Sequence, residues 1–222
     1  MNDKEFITPY GLFVTIVVTV IGVGVFSFPR DVTANAGTDG WIITLVSGAV
    51  SYLLIFIAIK AIKNNNYGKL YYILRFNFGR LIGSILALIF ITYNVFAVSI
   101  GMRVFIEVIK MYLLQKTPTE FLILVTILTG VYIIRGEVGS LVKFNEFAFW
   151  IMFIPITLVL LLTLNKTDFT NIFPILNSTP NEYVKALSTT VYSFGGIGIV
   201  YLILPFMKNK KSIPKIAVKS IM

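Results

Sequence analysis

The fold is decided by a short segment near the N-terminus, Ile21-Gly22-Val23-Gly24-Val25-Phe26-Ser27-Phe28-Pro29. It places two glycines, a serine and a proline inside an apolar stretch. Residues two positions apart point to nearly opposite sides of an α-helix, so Gly22 and Gly24 serve no single packing face. Glycine loses more conformational freedom in a helix than any other residue, and two such positions favour unwinding. We therefore predict a first helix that is broken at this segment.

A second segment of the same kind lies toward the other end of the chain, Ser193-Phe194-Gly195-Gly196-Ile197-Gly198-Ile199. Its last four residues correspond to residues 22–25, and both copies are followed by apolar residues and a proline. Close helix packing explains Gly195 and Gly198 equally well, because small residues admit a neighbouring backbone. If the correspondence marks a repeat, the fold resembles the first repeat plus one helix of a five-plus-five inverted-repeat transporter. In such folds the substrate is held where the first helices are broken.

The composition indicates an all-α integral membrane protein. Of 222 residues, 57% are hydrophobic and 13% are charged, whereas an average soluble domain has about 25% charged residues. A membrane-crossing helix needs about 20 predominantly apolar residues. We predict one transmembrane domain over residues 1–222 with six helices, the first and sixth broken, and with the approximate spans 8–30, 41–62, 81–109, 118–135, 146–164 and 184–207. The charge-free part of the fourth span is short. A re-entrant or buried segment is the alternative to a membrane crossing there.

The basic residues predict the orientation. With a cytoplasmic N-terminus, thirteen of the 19 lysines and arginines lie on the cytoplasmic side and five lie outside, as basic residues prefer. Residues 64–68 predict a turn, and the mixture of aromatic, aliphatic and basic residues over 69–80 predicts an interfacial helix on the cytoplasmic surface. Residues 165–182 form the longest external connection, with a predicted helix start at Thr179-Pro180.

Several functional classes are excluded by composition. The chain has no cysteine and no histidine, which removes disulfides, thiolate nucleophiles and histidine-dependent triads. No paired carboxylates or metal-ligand cluster stands in a plausible site, so we expect no enzyme activity, no cofactor and no metal. The basic residues are separated by apolar runs instead of sharing one surface, so we expect a lipid bilayer and not nucleic acid as the partner.

Polar residues inside the spans are the remaining site candidates, because they usually face the interior of a helix bundle or a wet cavity. Tyr93 and Asn94 line a ligand path in one interpretation; in the other they serve helix packing. Arg103 and Glu107 are four positions apart and are expected to form an ion pair without further function. The candidate ligand-binding residues are Gly22, Val23, Gly24, Val25, Tyr93, Asn94, Ser193, Phe194, Gly195, Gly196 and Gly198.

The residues also resemble a known family. Residues 21–30, followed by Ala36-Gly37-Thr38-Asp39-Gly40-Trp41, resemble the permease-like B subunit of spore germination receptors. That family is a branch of the amino acid/polyamine/organocation transporter superfamily. Phe78-Gly79-Arg80-Leu81-Ile82-Gly83 and Arg135-Gly136-Glu137 fit the same family. The resemblance implies a ten-helix protein of the inner spore membrane or cell membrane that senses small, amino-acid-like nutrients. It also implies two partner subunits, one embedded in the membrane and one a lipoprotein.

This sequence departs from the family pattern in length, because six predicted helices stand where the family has ten. A truncated gene product, a fragment and half of a split protein are all compatible with that. Three functions fit the residues: a nutrient sensor that binds its ligand at the broken helices, a secondary amino acid transporter, and a membrane interaction subunit without a ligand. The family-like motifs favour the sensor.

Overall fold

The computed structural model describes residues 7–22, 24, 28–207, 210, 213, 216 and 220. Val23 and Val25, two of the predicted site residues, lie outside this part of the chain. The described residues form α-helices joined by short turns and 3-10 segments. The α-helices are α1 (Pro9–Ile21), α2 (Phe28–Ala36), α3 (Gly40–Asn64), α4 (Leu70–Phe78), α5 (Arg80–Tyr112), α6 (Thr119–Ile134), α7 (Val138–Thr163), α8 (Pro180–Ser193) and α9 (Ile199–Ile203).

Fewer helices than predicted are long enough to cross a bilayer. By length and apolar composition, the described helices Phe28–Asn64, Arg80–Tyr112 and Val138–Lys166 qualify. A fourth crossing results if Pro180–Val191 and Phe194–Phe206, which are bent by 44°, form one broken span. Helix α1 has 13 residues and α6 has 16, or roughly 20 and 24 Å of helix, which is less than a hydrocarbon core of about 30 Å. The all-helical architecture is confirmed, whereas six spans and the inverted repeat stay predictions.

The described residues divide into two compact units, the first within 62–141 and the second within 7–61 and 142–220. In the first unit, α4 packs against the start of α5, and α5 is followed by the antiparallel neighbour α6. The Lys110 ammonium donates a hydrogen bond to the Thr119 hydroxyl at 2.8 Å, which joins the end of α5 to the start of α6. The segment predicted to be an interfacial helix is helical, as α4, and has no buried residue; its place at the cytoplasmic membrane surface stays a prediction.

In the second unit the core surrounds α1. Leu12, Val14 and Ile16 are completely buried, and α1 packs against α9 and the 3-10 segment Phe194–Gly198. The Phe13 and Phe149 rings meet edge to face at 6.3 Å, which places α7 against the same helix. Helix α1 therefore lies at the centre of this unit.

Large apolar side chains are exposed along the long helices. On α5, for example, Leu88 and Phe96 are 63% and 66% exposed, and α6 has no buried residue at all. Contiguous apolar surface on this scale marks contact with another apolar phase. Together with the helix lengths, it indicates that the protein is embedded in a membrane.

Candidate functional site

The first interruption lies at the end of α1. The helix stops at Ile21, and Gly22 takes φ 37° and ψ −145°, a conformation that side chains with a Cβ disfavour. The Gly22 N–H donates to the Val18 carbonyl at 2.9 Å and closes the helix. The next helix, α2, starts at Phe28. Helix α1 therefore ends at the predicted segment, and a first membrane span that is broken there stays a prediction.

The second interruption follows α8. A 3-10 segment, Phe194–Gly198, separates α8 from α9. A Cβ on Gly196 would overlap the carbonyl oxygen of Thr19 and would lie 2.7 Å from its carbonyl carbon. Both are backbone atoms in the last turn of α1. Glycine at this position thus lets the two interrupted segments approach each other directly.

A cavity of about 190 Å³ lies where these segments meet. The Phe28 and Phe194 rings contact edge to face there, with 6.3 Å between their centroids. The wall is apolar apart from one serine, whose hydroxyl donates to the Thr189 carbonyl at 3.1 Å. The residues that line the cavity are Val20, Ile21, Gly24, Phe28, Pro29, Ser193 and Phe194.

The cavity unites some of the predicted site residues and leaves others apart. Gly24, Ser193 and Phe194 line it, and Gly22 and Gly196 shape the segments beside it. A Cβ on Gly195 or Gly198 would meet nothing within 4 Å, so neither glycine is required for close packing among the described residues.

Tyr93 and Asn94 lie on α5, in the other unit. The Tyr93 side chain is 55% exposed. The Asn94 amide donates to the carbonyl of Phe90, one turn earlier on the same helix, at 2.8 Å. Their proposed role in ligand binding stays a prediction.

Among the described residues of the second unit, the Asp39 carboxylate accepts the largest number of hydrogen bonds, and it is completely buried. Its Oδ1 accepts the Leu176 N–H at 2.7 Å. Its Oδ2 accepts the N–H groups of Asn177 and Ser178 at 2.9 and 3.2 Å and the Tyr183 hydroxyl at 2.7 Å. We call this arrangement, Asp39 with residues 176–178 and Tyr183, the Asp39 clamp. Four donors satisfy a buried charge that would otherwise be costly.

The Asp39 clamp holds together the two helices that contribute to the cavity. Residues on either side reinforce it, since the Ser178 hydroxyl donates to the Ala36 carbonyl at 3.1 Å and the Thr38 hydroxyl to the Pro174 carbonyl at 2.8 Å. Below it, Ala36 of α2 packs with Ala186 of α8 and Ile43 of α3. Helix α2 supplies Phe28 to the cavity and α8 ends at its Ser193 wall, so the clamp fixes both sides.

Sequence reasoning assigned no role to Asp39. It was part of the Gly-x-Asp-Gly-Trp motif that carried the family resemblance, but its partners are backbone N–H groups 137 to 139 positions away. One signal was available, because an acidic residue between two glycines in an otherwise apolar chain needs a satisfying environment.

The connection between α7 and α8 is ordered by two further carboxylates. Asp168 accepts the hydroxyl and the N–H of Thr170 at 2.6 and 2.9 Å, and these hydrogen bonds lower the pKa of Asp168. Glu182 accepts the Thr179 N–H at 2.7 Å, which is half of a capping box. Helix α8 begins at Pro180, and the predicted helix start at Thr179-Pro180 is confirmed.

Two buried hydroxyls on α3 are unsatisfied. Ser47 and Ser51, one turn apart, are completely buried, and neither hydroxyl has a hydrogen-bond partner among the described residues. Most buried polar atoms in proteins have a partner.

The predicted ion pair on α5 is present. Arg103 Nε lies 3.3 Å from Glu107 Oε1, and both side chains are well exposed. An exposed pair of this kind contributes little to stability. Nothing in its geometry connects it with the cavity.

Comparison with known proteins places the whole chain in one group. A family model described as "Spore germination protein" matches residues 6–222. Spore germination protein A2 of Bacillus subtilis (strain 168) is 28% identical over 194 residues, which cover 87% of this chain and 53% of the relative. Spore germination protein GerQB of Bacillus cereus is 28% identical over 215 residues, 95% of this chain and 58% of the relative.

Spore germination protein B2 of Bacillus subtilis (strain 168) is 24% identical over 197 residues, with 89% of this chain and 54% of the relative covered. The chain thus spans about half of the length of the curated relatives it matches. No solved structure matches the chain. The resemblance derived from the residues around Gly22 and Asp39 is confirmed.

Proposed function

The chain belongs to the spore germination protein family, and from this premise we propose that it is a nutrient-sensing membrane subunit of a spore germinant receptor. Its ligand is a small, amino-acid-like nutrient that binds at the interrupted helices. The observation that carries the proposal is the cavity between the end of α1 and the start of the Phe194–Gly198 segment. Sites of this kind are usually preformed, largely apolar clefts with few polar groups.

The chemistry of the interruption suits an amino acid. Helix α1 ends at Ile21, and the carbonyl groups of a last helical turn have no partner further along the helix, so those of Val20 and Ile21 beside the cavity would accept hydrogen bonds from an ammonium group. Helix α2 begins at Phe28, and the N–H groups of its first turn, which every residue there except Pro29 carries, favour a carboxylate. The apolar side chains of Val20, Phe28 and Phe194 would contact the ligand's side chain. Backbone groups therefore supply the polar recognition in this proposal.

Sensing requires that the ligand favour one of two conformations. The Asp39 clamp joins α2 to α8. A ligand that moves one of these helices therefore moves the other helix with it. A coupling of about 1–3 kcal/mol to neighbouring subunits is typical of such a response. We propose that two other receptor subunits, one embedded in the membrane and one a lipoprotein, receive this change. The N-terminus faces the cytoplasm in this proposal.

A secondary amino acid transporter is the second candidate. It is favoured by the paired interruptions, because broken helices at a central site also serve alternating access. The two functions differ in what the protein does alone. A transporter accumulates solute in proteoliposomes without partners, whereas a sensor binds solute without accumulating it.

The proposal is tested by ligand-dependent stabilisation of the purified 222-residue chain. We expect one or a few of the twenty L-amino acids to raise the melting temperature. At a concentration of 100 times Kd, a ligand stabilises the folded state by about 2.7 kcal/mol. This corresponds to roughly 5–11 °C for a chain of this size. The absence of any response across the panel would contradict ligand binding by this chain.

A matched pair of serine variants locates the site. Ser193→Leu fills the cavity and is expected to abolish the stabilisation by ligand. Ser188→Leu is the control, because Ser188 is an exposed residue of α8 whose hydroxyl likewise bonds a carbonyl of its own helix, that of Lys185. Loss of the response in both variants would place the effect on α8 generally and not in the cavity.

A further inference from the structure

The segment from the end of α3 to the start of α5, which includes α4, carries concentrated positive charge. The sequence has no acidic residue between Asp39 and Glu107. Among the described residues, Glu107 forms an ion pair with Arg103. Within the part of the chain that the structure describes, four basic side chains of the first unit stand here without a carboxylate partner: Lys63, Lys69, Arg75 and Arg80. Unneutralised charges grouped in this way attract an anion.

Helix α4, which carries Arg75, is fixed against α5 and against the turn that precedes it. A Cβ on Gly83 of α5 would lie 2.7 Å from the Arg75 N and Cα atoms of α4, so the two helices touch along their backbones. The Asn77 amide donates to the side-chain oxygen of Asn65 at 2.8 Å and ties the end of α4 to the preceding turn. The backbone that carries Arg75 is thus held in a fixed position.

Arg75 contacts a tyrosine of its own helix. Arg75 Nη1 donates to the Tyr71 hydroxyl at 3.2 Å, and the Arg75 guanidinium lies 5.3 Å from the centre of the Tyr71 ring. The pKa of Tyr71 is lowered, first by a hydrogen bond with Ser84 and then by the positive charges of Arg75 and Arg80. These four side chains, Tyr71, Arg75, Arg80 and Ser84, form what we call the arginine cluster.

The surroundings of the arginine cluster are strongly apolar. On α4, Tyr72 is 64% exposed and Phe76 is 86% exposed. On the first turn of α5, Leu81 is 73% exposed. Aromatic residues with basic neighbours are typical of helices that lie in the membrane–water interface. A ligand at this cluster would contact both positive charge and a large apolar surface.

We propose that the arginine cluster binds the headgroup phosphate of an anionic phospholipid, while α4 lies in the interface and the exposed side chains of α4 and α5 contact the acyl chains. Guanidinium groups bind phosphate oxygens in a bidentate manner. The charge of the segment from the end of α3 to the start of α5 complements an anionic lipid, and the adjoining apolar surface distinguishes a lipid from a free phosphate ion. This site is separate from the cavity in the second unit and does not depend on the proposed nutrient.

The test compares two lipids on the purified 222-residue chain. Native mass spectrometry with phosphatidylglycerol and phosphatidylcholine is expected to show tighter binding of the anionic lipid. R75Q/R80Q is expected to reduce this preference by about 30-fold, because each basic side chain near an anionic surface contributes about 1 kcal/mol and 1.4 kcal/mol is a factor of ten. K116Q/R135Q is the matched control, since it removes two exposed positive charges of the same unit and should leave the preference unchanged.

Several results would overturn the proposal. Equal binding of the two lipids by the unmodified chain would do so, as would an equal loss of preference in both glutamine double variants. Displacement of the lipid by millimolar inorganic phosphate would show that a free ion is the occupant. If R75Q/R80Q does not fold, R75K/R80K takes its place. A reduced preference supports a guanidinium site because lysine lacks the bidentate fork, and an unchanged preference refutes it.

Discussion

Replacement of Gly196 by alanine tests the contact on which the candidate site depends. The new Cβ would overlap the Thr19 carbonyl oxygen and would lie 2.7 Å from the Thr19 carbonyl carbon and 3.0 Å from the Val20 nitrogen. These are backbone atoms of α1, which cannot rotate away as the end of a flexible side chain can. Forced overpacking of this kind costs about 1–3 kcal/mol.

The expected change is large enough to measure. For a chain of about this size, 1 kcal/mol shifts the melting temperature by roughly 2–4 °C, so Gly196→Ala should lower it by roughly 2–12 °C. Because the displaced segments line the cavity, the variant should also lose stabilisation by the amino acid that protects the unmodified chain. The assay is thermal unfolding in detergent, followed by intrinsic fluorescence, with and without that amino acid.

Gly195→Ala is the matched control for Gly196→Ala. A Cβ on Gly195 meets nothing within 4 Å, and alanine is favoured over glycine in a helical segment by about 0.5–1 kcal/mol. Gly195→Ala should therefore unfold at the same or a slightly higher temperature and keep its ligand response. If the two variants unfold at the same temperature, the close approach of Gly196 to α1 is refuted.

Three further predictions concern the interruption, the clamp and the buried serines. Gly22→Ala places a side chain at φ 37° and should cost about 1–3 kcal/mol, measured by chemical unfolding, and an unchanged stability would contradict the observed helix end. Asp39→Asn replaces one acceptor oxygen by an NH₂ donor facing N–H groups, so amide hydrogen exchange at residues 176–178 should accelerate by about tenfold or more, and unchanged exchange would contradict the clamp. Ser47→Ala and Ser51→Ala each remove a buried hydroxyl without a partner and should be neutral or stabilising by up to about 2 kcal/mol, whereas a marked loss of stability would reveal a bound group.

Helix positions were largely predictable because apolar segments without charges have few structural options. Helices α3 (Gly40–Asn64), α5 (Arg80–Tyr112) and α6 (Thr119–Ile134) overlap the segments 41–62, 81–109 and 118–135 that were predicted as membrane spans; that these segments cross the membrane stays a prediction. Helix α7 begins at Val138, eight residues before the predicted membrane span 146–164. The charges of Lys143 and Glu146 argue against a bilayer interior, but they do not prevent a helix from extending beyond it.

The candidate site was predictable only in part. Local conformation follows from local sequence, so the glycines at 22 and 24 predicted the end of α1. The Asp39 clamp depends instead on contacts between distant segments. Its donors include the N–H groups of residues 176–178, and every residue except proline carries such a group. The side chains at residues 176–178 therefore do not indicate the contact with Asp39.

Tyr93 and Asn94 illustrate a different limit. A polar residue in an apolar helix can face a ligand, another helix or its own backbone, and the sequence is the same in all three cases. The Asn94 amide bonds the Phe90 carbonyl of its own helix. The sequence pattern therefore identified a polar position without identifying its partner.

The central claim is that the ligand binds between the interrupted helices, and photocrosslinking tests it most directly. The unmodified chain is irradiated in the membrane with a diazirine analogue of the amino acid that stabilises it, and the labelled peptides are identified by mass spectrometry. The account predicts label within residues 20–29 and 193–198, with competition by the unlabelled amino acid. Competable label confined to other segments, such as α5 around Tyr93 and Asn94, would contradict it.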